Sequence, residues 1–148
     1  GYEPRVILAG RRINDGMARH VVDRVIRLMR EHEIEPKNAR TLVMGLTFKE
    51  NCPDTRNTQV IELIHALGEY GNEVEVFDPW VSRTNRGHFG MNFVEIPETG
   101  KYDMIVIAVA HETFRDLGTQ IIRSFLKSNG LIFDVKHMLP ADQTTARL

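Results

Sequence analysis

Tyr102-Asp103-Met104-Ile105-Val106-Ile107-Ala108-Val109 is almost wholly apolar and rich in β-branched side chains. An alternating pattern would mark a strand with one wet face. An unbroken run marks a strand covered on both faces, as in the middle of a parallel sheet. Working outward, Thr41-Leu42-Val43-Met44-Gly45-Leu46 is a second run of this kind, ending at a glycine. Glu73 to Asp78, halted by Pro79, is a further strand, and Leu131-Ile132-Phe133-Asp134 is a last one; Trp80 to Gly90 reads as polar and irregular, and Phe93 to Ile96 is a short strand candidate near the middle.

Between these runs the apolar spacing changes to that of helices. Val60, Ile61, Ile64 and Leu67 share one face, with Asn57 or Thr58 as cap and Gly68 and Gly71 near the end. Ile121, Ile122, Phe125 and Leu126 mark another helix. Strands alternating with helices predict an α/β fold, a Rossmann-like three-layer αβα sandwich on a mostly parallel sheet. The tail after Leu139 is polar and is expected to fray.

Ahead of the first strand, residues 12–32 predict a long helix. Ile13, Met17, Val21, Val25 and Leu28 form one apolar line, and Val22, Ile26 and Met29 form a second beside it. Such a wide stripe suits either a helix lying between domains or subunits, or one sunk in its own domain. The sequence begins Gly1-Tyr2-Glu3-Pro4, without an initiator methionine, so a segment upstream is expected.

Nineteen basic against twenty acidic residues leave a net charge of −1, without the basic excess of a general nucleic-acid surface. No apolar run approaches the roughly 20 residues that span a bilayer. The single cysteine, Cys52, forms no internal disulfide and fits a reducing compartment, so a cytoplasmic protein is expected. Cys52 has no histidine near it in sequence and is followed by Pro53, which argues against a nucleophile; the six histidines show no metal-ligand spacing with it.

In an open parallel sheet, ligands bind beyond the carboxyl ends of the strands. The polar residues gather there: Thr47 to Arg56, Asp78-Pro79, Ala110-His111-Glu112, and Asp134 to His137. The first of these loops carries Lys49 and Arg56 beside a helix start, which suits an anion such as a diphosphate. It is neither a P-loop nor a dinucleotide fingerprint, since Gly45 has no glycine partners at the required spacing. The alternative is a solvated loop whose cations pair with Glu50 and Asp54. Asp78 stands where a Rossmann-type sheet places an acid on ribose hydroxyls, or is a turn-former before proline. Lys136 could reach a phosphate, or make a surface ion pair. His111 reads as a ligand donor, a helix cap or an exposed side chain.

Residues 45–58, Gly-Leu-Thr-Phe-Lys-Glu-Asn-Cys-Pro-Asp-Thr-Arg-Asn-Thr, resemble the Gly-x-x-Phe-Lys-x-x-x-x-Asp-x-Arg-x-Ser/Thr signature of the UDP-glucose/GDP-mannose dehydrogenase family. Val76-Phe77-Asp78-Pro79 resembles its hydrophobic-Asp-Pro element. Asp134-Val135-Lys136 falls where members carry Asp-x-Arg or Asp-x-Lys. Residues 9–17 are similar to the end of the long helix joining the two halves. Within the family, Arg11-Arg12-Ile13-Asn14-Asp15-Gly16-Met17 together with Asp134-Val135-Lys136 looks most like the UDP-N-acetylhexosamine 6-dehydrogenases of surface-polysaccharide (Vi-type) biosynthesis.

The resemblance implies a division at residue 36. Residues 1–36 would be the end of the central interdomain and dimerisation helix, and residues 37–148 the C-terminal nucleotide-sugar-binding domain. It implies a reaction taking the sugar C6 hydroxyl to a carboxylate with two NAD+, through a thioester on a cysteine in a Gly-Gly-x-Cys segment. That segment and the glycine-rich NAD fingerprint are absent here, so no catalytic residue is expected in this chain and no dehydrogenase activity from it alone. Carried onto this sequence, Phe48, Lys49, Lys136 and Arg12 would bind substrate, with Arg11 and Asn14 near it, and Arg56 would reach NAD held mainly by an N-terminal domain. Implied partners are a UDP-sugar, that domain, and a second copy through the helix. The alternative is a stand-alone nucleotide-binding or regulatory module; a receiver domain is disfavoured because the first strand ends without an acid pair.

Overall fold

The computed structural model describes the backbone of residues 4–148 and the side chains of residues 16–148. The order is helix α1 (Pro4–Glu31), β1 (Arg40–Met44), α2 (Val60–Glu69), β2 (Glu73–Phe77), α3 (Arg83–Arg86), β3 (Asn92–Phe93), β4 (Tyr102–Ile107), α4 (Glu112–Ser124), β5 (Leu126–Asp134) and β6 (Ala146–Arg147). The strands form one sheet ordered β3-β2-β1-β4-β5-β6, and every pairing is parallel. This is the Rossmann order, with the direction of winding reversing between β1 and β4.

The continuous apolar runs behave as expected. Residues 104–107 of β4 and 42–44 of β1 are wholly buried, and successive side chains serve opposite faces. Val43, Met104, Val106, Leu131 and Phe133 meet α1 and α2 on one side. Leu42, Met44, Ile105, Ile107 and Ile132 meet Phe114, Ile122 and Phe125 on the other.

Both apolar lines of α1 are used inside this core. Val21, Val22, Val25, Ile26 and Met29 are each at most 2% exposed, while Met17 is 48% exposed. Of the two readings of the helix, the sunken one therefore describes residues 18–29. Ile13 and the site candidates Arg11, Arg12 and Asn14 lie outside the described side chains.

Four expectations need correction. The tail is not frayed: a 3-10 turn at Ala141–Gln143 leads into β6, which pairs with β5 at Phe133 and Asp134. A two-residue edge strand has no apolar period to read. The short third strand is Asn92–Phe93 rather than Phe93 to Ile96, and Ile96 is 81% exposed. The polar stretch after Trp80 contains the one-turn helix α3, capped by the Ser82 hydroxyl accepting from the Asn85 amide. Finally, Leu126 belongs to β5, because α4 kinks at Gly118 (φ 81°) and ends at Ser124.

Candidate functional site

The site is built on the loop from Gly45 to Gln59, which leaves β1 at the switch point. Gly45 has φ 100°, and a Cβ there would lie 2.5 Å from Val109 Cβ. Only glycine allows that conformation and that approach to the end of β4. The chain then folds back on itself: the Phe48 amide donates to the Asp54 carbonyl at 2.7 Å. Asn51 and Asn57 supply left-handed corners at φ 55° and 59°.

Beneath this loop lies a buried polar cluster. One oxygen of Asp78, Oδ2, accepts from the Leu46 amide at 2.6 Å and the Thr47 amide at 3.2 Å, and lies 3.0 Å from His111 Nε2. The other, Oδ1, accepts from the Trp80 amide at 2.8 Å. Burial works to raise the Asp78 carboxyl, but the bonds from His111, Leu46 and Trp80 outweigh it and hold the group below the ordinary aspartate range. On the far side of the ring, His111 Nδ1 accepts from the Asn51 amide at 2.9 Å. The Asn51 side chain in turn accepts from the Glu112 amide at 2.9 Å, capping α4 where His111 itself does not.

The turn-former reading of Asp78 is borne out at Oδ1, which takes the Trp80 amide two residues on, but none of the readings of Asp78 or His111 anticipates the buried contact between them. Both side chains are fully buried. Asp78 is unavailable to ribose hydroxyls because backbone amides and His111 use its oxygens. His111 is not exposed, and it holds the N-cap position of α4 as one reading had it, although its side chain makes no capping hydrogen bond there. The sequence held a clue, since both lie just beyond strand ends, of the two strands that flank β1, but not the depth of burial.

Above the cluster opens a cleft of about 370 Å³. Thr47 and Phe48 from the loop form one wall, Asn57 to Val60 at the start of α2 another, and Ala108 and Val109 the floor; Lys136 closes it from beyond β5. Asp134 aims that last turn by accepting from the Lys136 amide at 3.1 Å and the Leu139 amide at 2.8 Å. Lys136 makes no ion pair among the described residues. In the α2 wall the Gln59 side-chain oxygen is buried without a hydrogen-bond partner. Sequence reasoning passed over Gln59, which nothing in the sequence distinguishes from other polar residues at a helix start. The N-cap of α2 is Gln59 rather than the expected Asn57 or Thr58, although the Thr58 hydroxyl accepts from the Val60 amide at 3.2 Å.

Of the five candidate site residues, the structure brings Phe48 and Lys136 to this cleft. Lys49 follows Phe48 on the crest of the loop and is exposed, outside the cleft lining. Arg56 is 86% exposed and forms a two-pronged pair with Asp54, Nε to Oδ1 at 3.0 Å and Nη2 to Oδ2 at 3.1 Å. Arg12 lies outside the described side chains. Cys52 is a free, half-buried thiol. No group of three or more His, Cys, Asp or Glu suited to a metal occurs among the described residues.

The residues present do not fit a dinucleotide on this sheet. Gly45 is required by Val109 rather than by a pyrophosphate, and the acid that would hold ribose is occupied. What remains is a small cleft over the N-terminus of a ten-residue helix, with a cation at its edge and an unsatisfied acceptor in its wall. That suits part of an anionic nucleotide.

A sheet of this order, with its ligand-sized cleft at the switch point, is the frame of a nucleotide-binding α/β domain. Residues 42–141 match the model of the UDP-glucose/GDP-mannose dehydrogenase family, UDP binding domain, and the chain belongs to that family. It is 46% identical, over its whole length, to a UDP-N-acetyl-D-glucosamine 6-dehydrogenase of Pseudomonas aeruginosa and 42% identical to one of Salmonella typhi. It spans about a third of each, 35%. Among solved structures, a UDP-D-ManNAc dehydrogenase from Pyrococcus horikoshii has the same fold. It superposes with a TM-score of 0.76 at 23% identity, over 99% of this chain and 34% of that one.

Proposed function

We propose that this chain is the nucleotide-sugar-holding part of a longer dehydrogenase that oxidises C6 of a UDP-N-acetylhexosamine to the uronate with two NAD+. The observation that carries the reading is the cleft at the β1/β4 switch point, set over the start of α2 with Phe48 and Lys136 on its walls. The names of the relatives at 46% and 42% identity supply the sugar class. Phe48, Lys49 and Lys136 contact the UDP-sugar, Arg12 lies close to it, and Arg56 extends from the loop toward NAD held on another domain. NAD supplies the hydride acceptor; this chain's residues orient the sugar nucleotide and exclude water from one side of it.

The oxidising cysteine and the dinucleotide fingerprint belong to an N-terminal domain of the same polypeptide. Residues 1–36 lead into it, and residues 37–148 form the binding domain. Pairing with a second copy runs through α1 at Met17 and N-terminal to it, since the apolar lines from Ala18 to Met29 are committed to this domain. A cytoplasmic setting accords with NAD use; no helix among the described residues is long and apolar enough to cross a membrane.

The test is to supply the full-length polypeptide with UDP-N-acetylglucosamine and NAD+ and follow NADH. Two NADH per sugar are expected, and none from the 148-residue chain alone. A full-length protein inert toward every UDP-sugar overturns the reading, as does NADH production by the isolated chain.

A further inference from the structure

We propose that His111 is a positioning residue, which sets the Phe48–Lys49 crest by accepting the Asn51 amide on Nδ1; the kinetic part of this inference rests on the function proposed above. The crest is held at both ends. On its N-terminal side the Leu46 and Thr47 amides are fixed on Asp78 Oδ2, at 2.6 and 3.2 Å. The Thr47 hydroxyl donates to the Lys49 carbonyl at 2.9 Å and lies 3.2 Å from His111 Nε2. On its C-terminal side the hold is reciprocal: the Asn51 amide donates to His111 Nδ1, and the Asn51 carbonyl oxygen of the side chain accepts from the Glu112 amide, each at 2.9 Å.

Between these anchors Phe48 is 56% exposed, so neither packing nor a core contact fixes it. Its amide is tied across the loop to the Asp54 carbonyl at 2.7 Å, and the histidine beneath holds the residues on either side, Thr47 and Asn51.

The donor and acceptor roles define the ring's state. Nδ1 receives an N–H and so carries no proton; Nε2 carries it and donates to Asp78. Phe114 packs edge-on against the ring at 5.2 Å between centroids, and Trp80 lies 6.1 Å away. Turning the imidazole over to exchange its two nitrogens would break the bonds to both Asn51 and Asp78.

Two substitutions separate the two bonds. His111→Asn places an amide oxygen near the Nδ1 position and restores the acceptor for Asn51, leaving Asp78 short of a donor. His111→Gln places an N–H near the Nε2 position and restores the donor to Asp78, leaving the Asn51 amide unpaired. In the full-length polypeptide, His111→Gln and His111→Ala should raise KM for the sugar nucleotide about tenfold, with kcat and the NAD KM held within about twofold. His111→Asn should return KM to near the wild-type value, and Glu69→Ala serves as the neutral control. Wild-type KM in all three variants overturns the proposal. So does a joint fall of kcat, KM quality and melting temperature that His111→Asn does not rescue, the mark of a merely structural residue. In the wild-type 148-residue chain, ¹⁵N shifts of His111 should show Nε2 protonated and Nδ1 bare. A protonated Nδ1 overturns the proposal whatever the variants do, and this measurement stands even if the polypeptide turns over no UDP-sugar.

Discussion

Asp78 Oδ2 and His111 Nε2 lie 3.0 Å apart with both side chains sealed from solvent, and the same Asp78 oxygen receives two amides of the β1 loop. The pair therefore couples the ends of β2 and β4 to the segment that carries Phe48. Removing one member strands the other's polar atoms in the core. Asp78→Ala leaves the Leu46, Thr47 and Trp80 amides without their acceptor, at about 1–3 kcal/mol for a buried donor left unsatisfied, read from urea unfolding. A loss near zero would mean that water satisfies those amides and the clamp is dispensable.

The same carboxylate makes the domain acid-sensitive. Its folded pKa is lowered, so its contribution is complete above the unfolded value and is lost as pH falls below that value toward the folded one. Unfolding free energy should decline with acid below pH ~4, the ordinary aspartate range. In Asp78→Asn that part of the slope should be missing. Parallel pH profiles for the two proteins would remove Asp78 from the account.

Gly45→Ala tests why the loop can leave β1 at all. The new methyl would sit 2.5 Å from Val109 Cβ at a φ of 100°. Steric overlap and backbone strain together should destabilise by roughly 2–4 kcal/mol. Adding Val109→Gly, which removes the Cβ that the new methyl meets, should recover only part of this, because the φ penalty and the 2.9 Å approach to the Val109 backbone nitrogen remain. Full recovery in the double variant would assign the whole effect to the clash.

The sheet was legible because its central strands β1 and β4 are buried on both faces. Residues 41–46 and 102–109 leave no other way to cover so many consecutive apolar side chains. What sequence could not show was depth and partnership. Val22, Ile26 and Met29 look like a second, open edge of α1 until the sheet to their side is in place. Asp78 and His111 are 33 residues apart, and no local pattern distinguishes a buried pair from two polar loop residues. β6 has two residues and gains its place from β5 alone. The candidate site was legible in part: the loop and Lys136 were readable from their positions at strand ends, whereas Gln59 shows itself only through its unpartnered oxygen.

That oxygen gives a prediction of opposite sign for stability and binding. A buried acceptor without a partner costs about 1–3 kcal/mol. Gln59→Met should therefore raise the melting temperature by about 2–4 °C per kcal/mol recovered. In the full-length polypeptide it should also weaken sugar-nucleotide binding, because the ligand loses an acceptor in the α2 wall. A variant less stable than wild type, or one binding equally well, would show that Gln59 is satisfied by solvent and takes no part.

Lys49, Arg56 and Lys136 are the cations at stake in the proposed reaction, and their settings predict different losses. Lys136 edges the cleft beyond the floor of Val109, with no ion pair to break, so Lys136→Ala should raise KM for the sugar nucleotide by one to two decades. Lys136→Arg should keep much of that affinity, since a charge is retained at the same edge. Lys49→Ala should affect the sugar-nucleotide step in the same direction. Arg56 is held by Asp54 on the exposed side of the loop, so its loss should leave folding unaltered while lowering kcat/KM for NAD about tenfold. Asp54→Asn, which loosens that guanidinium, should lower NAD kcat/KM by a smaller factor. Glu50→Ala and Glu69→Ala, both on exposed positions, should change little. Steady-state kinetics on the full-length polypeptide with both substrates varied separates these effects. If the lysine and arginine variants match the two glutamate controls, the loop from Gly45 to Gln59 is a solvated connection and the site lies elsewhere.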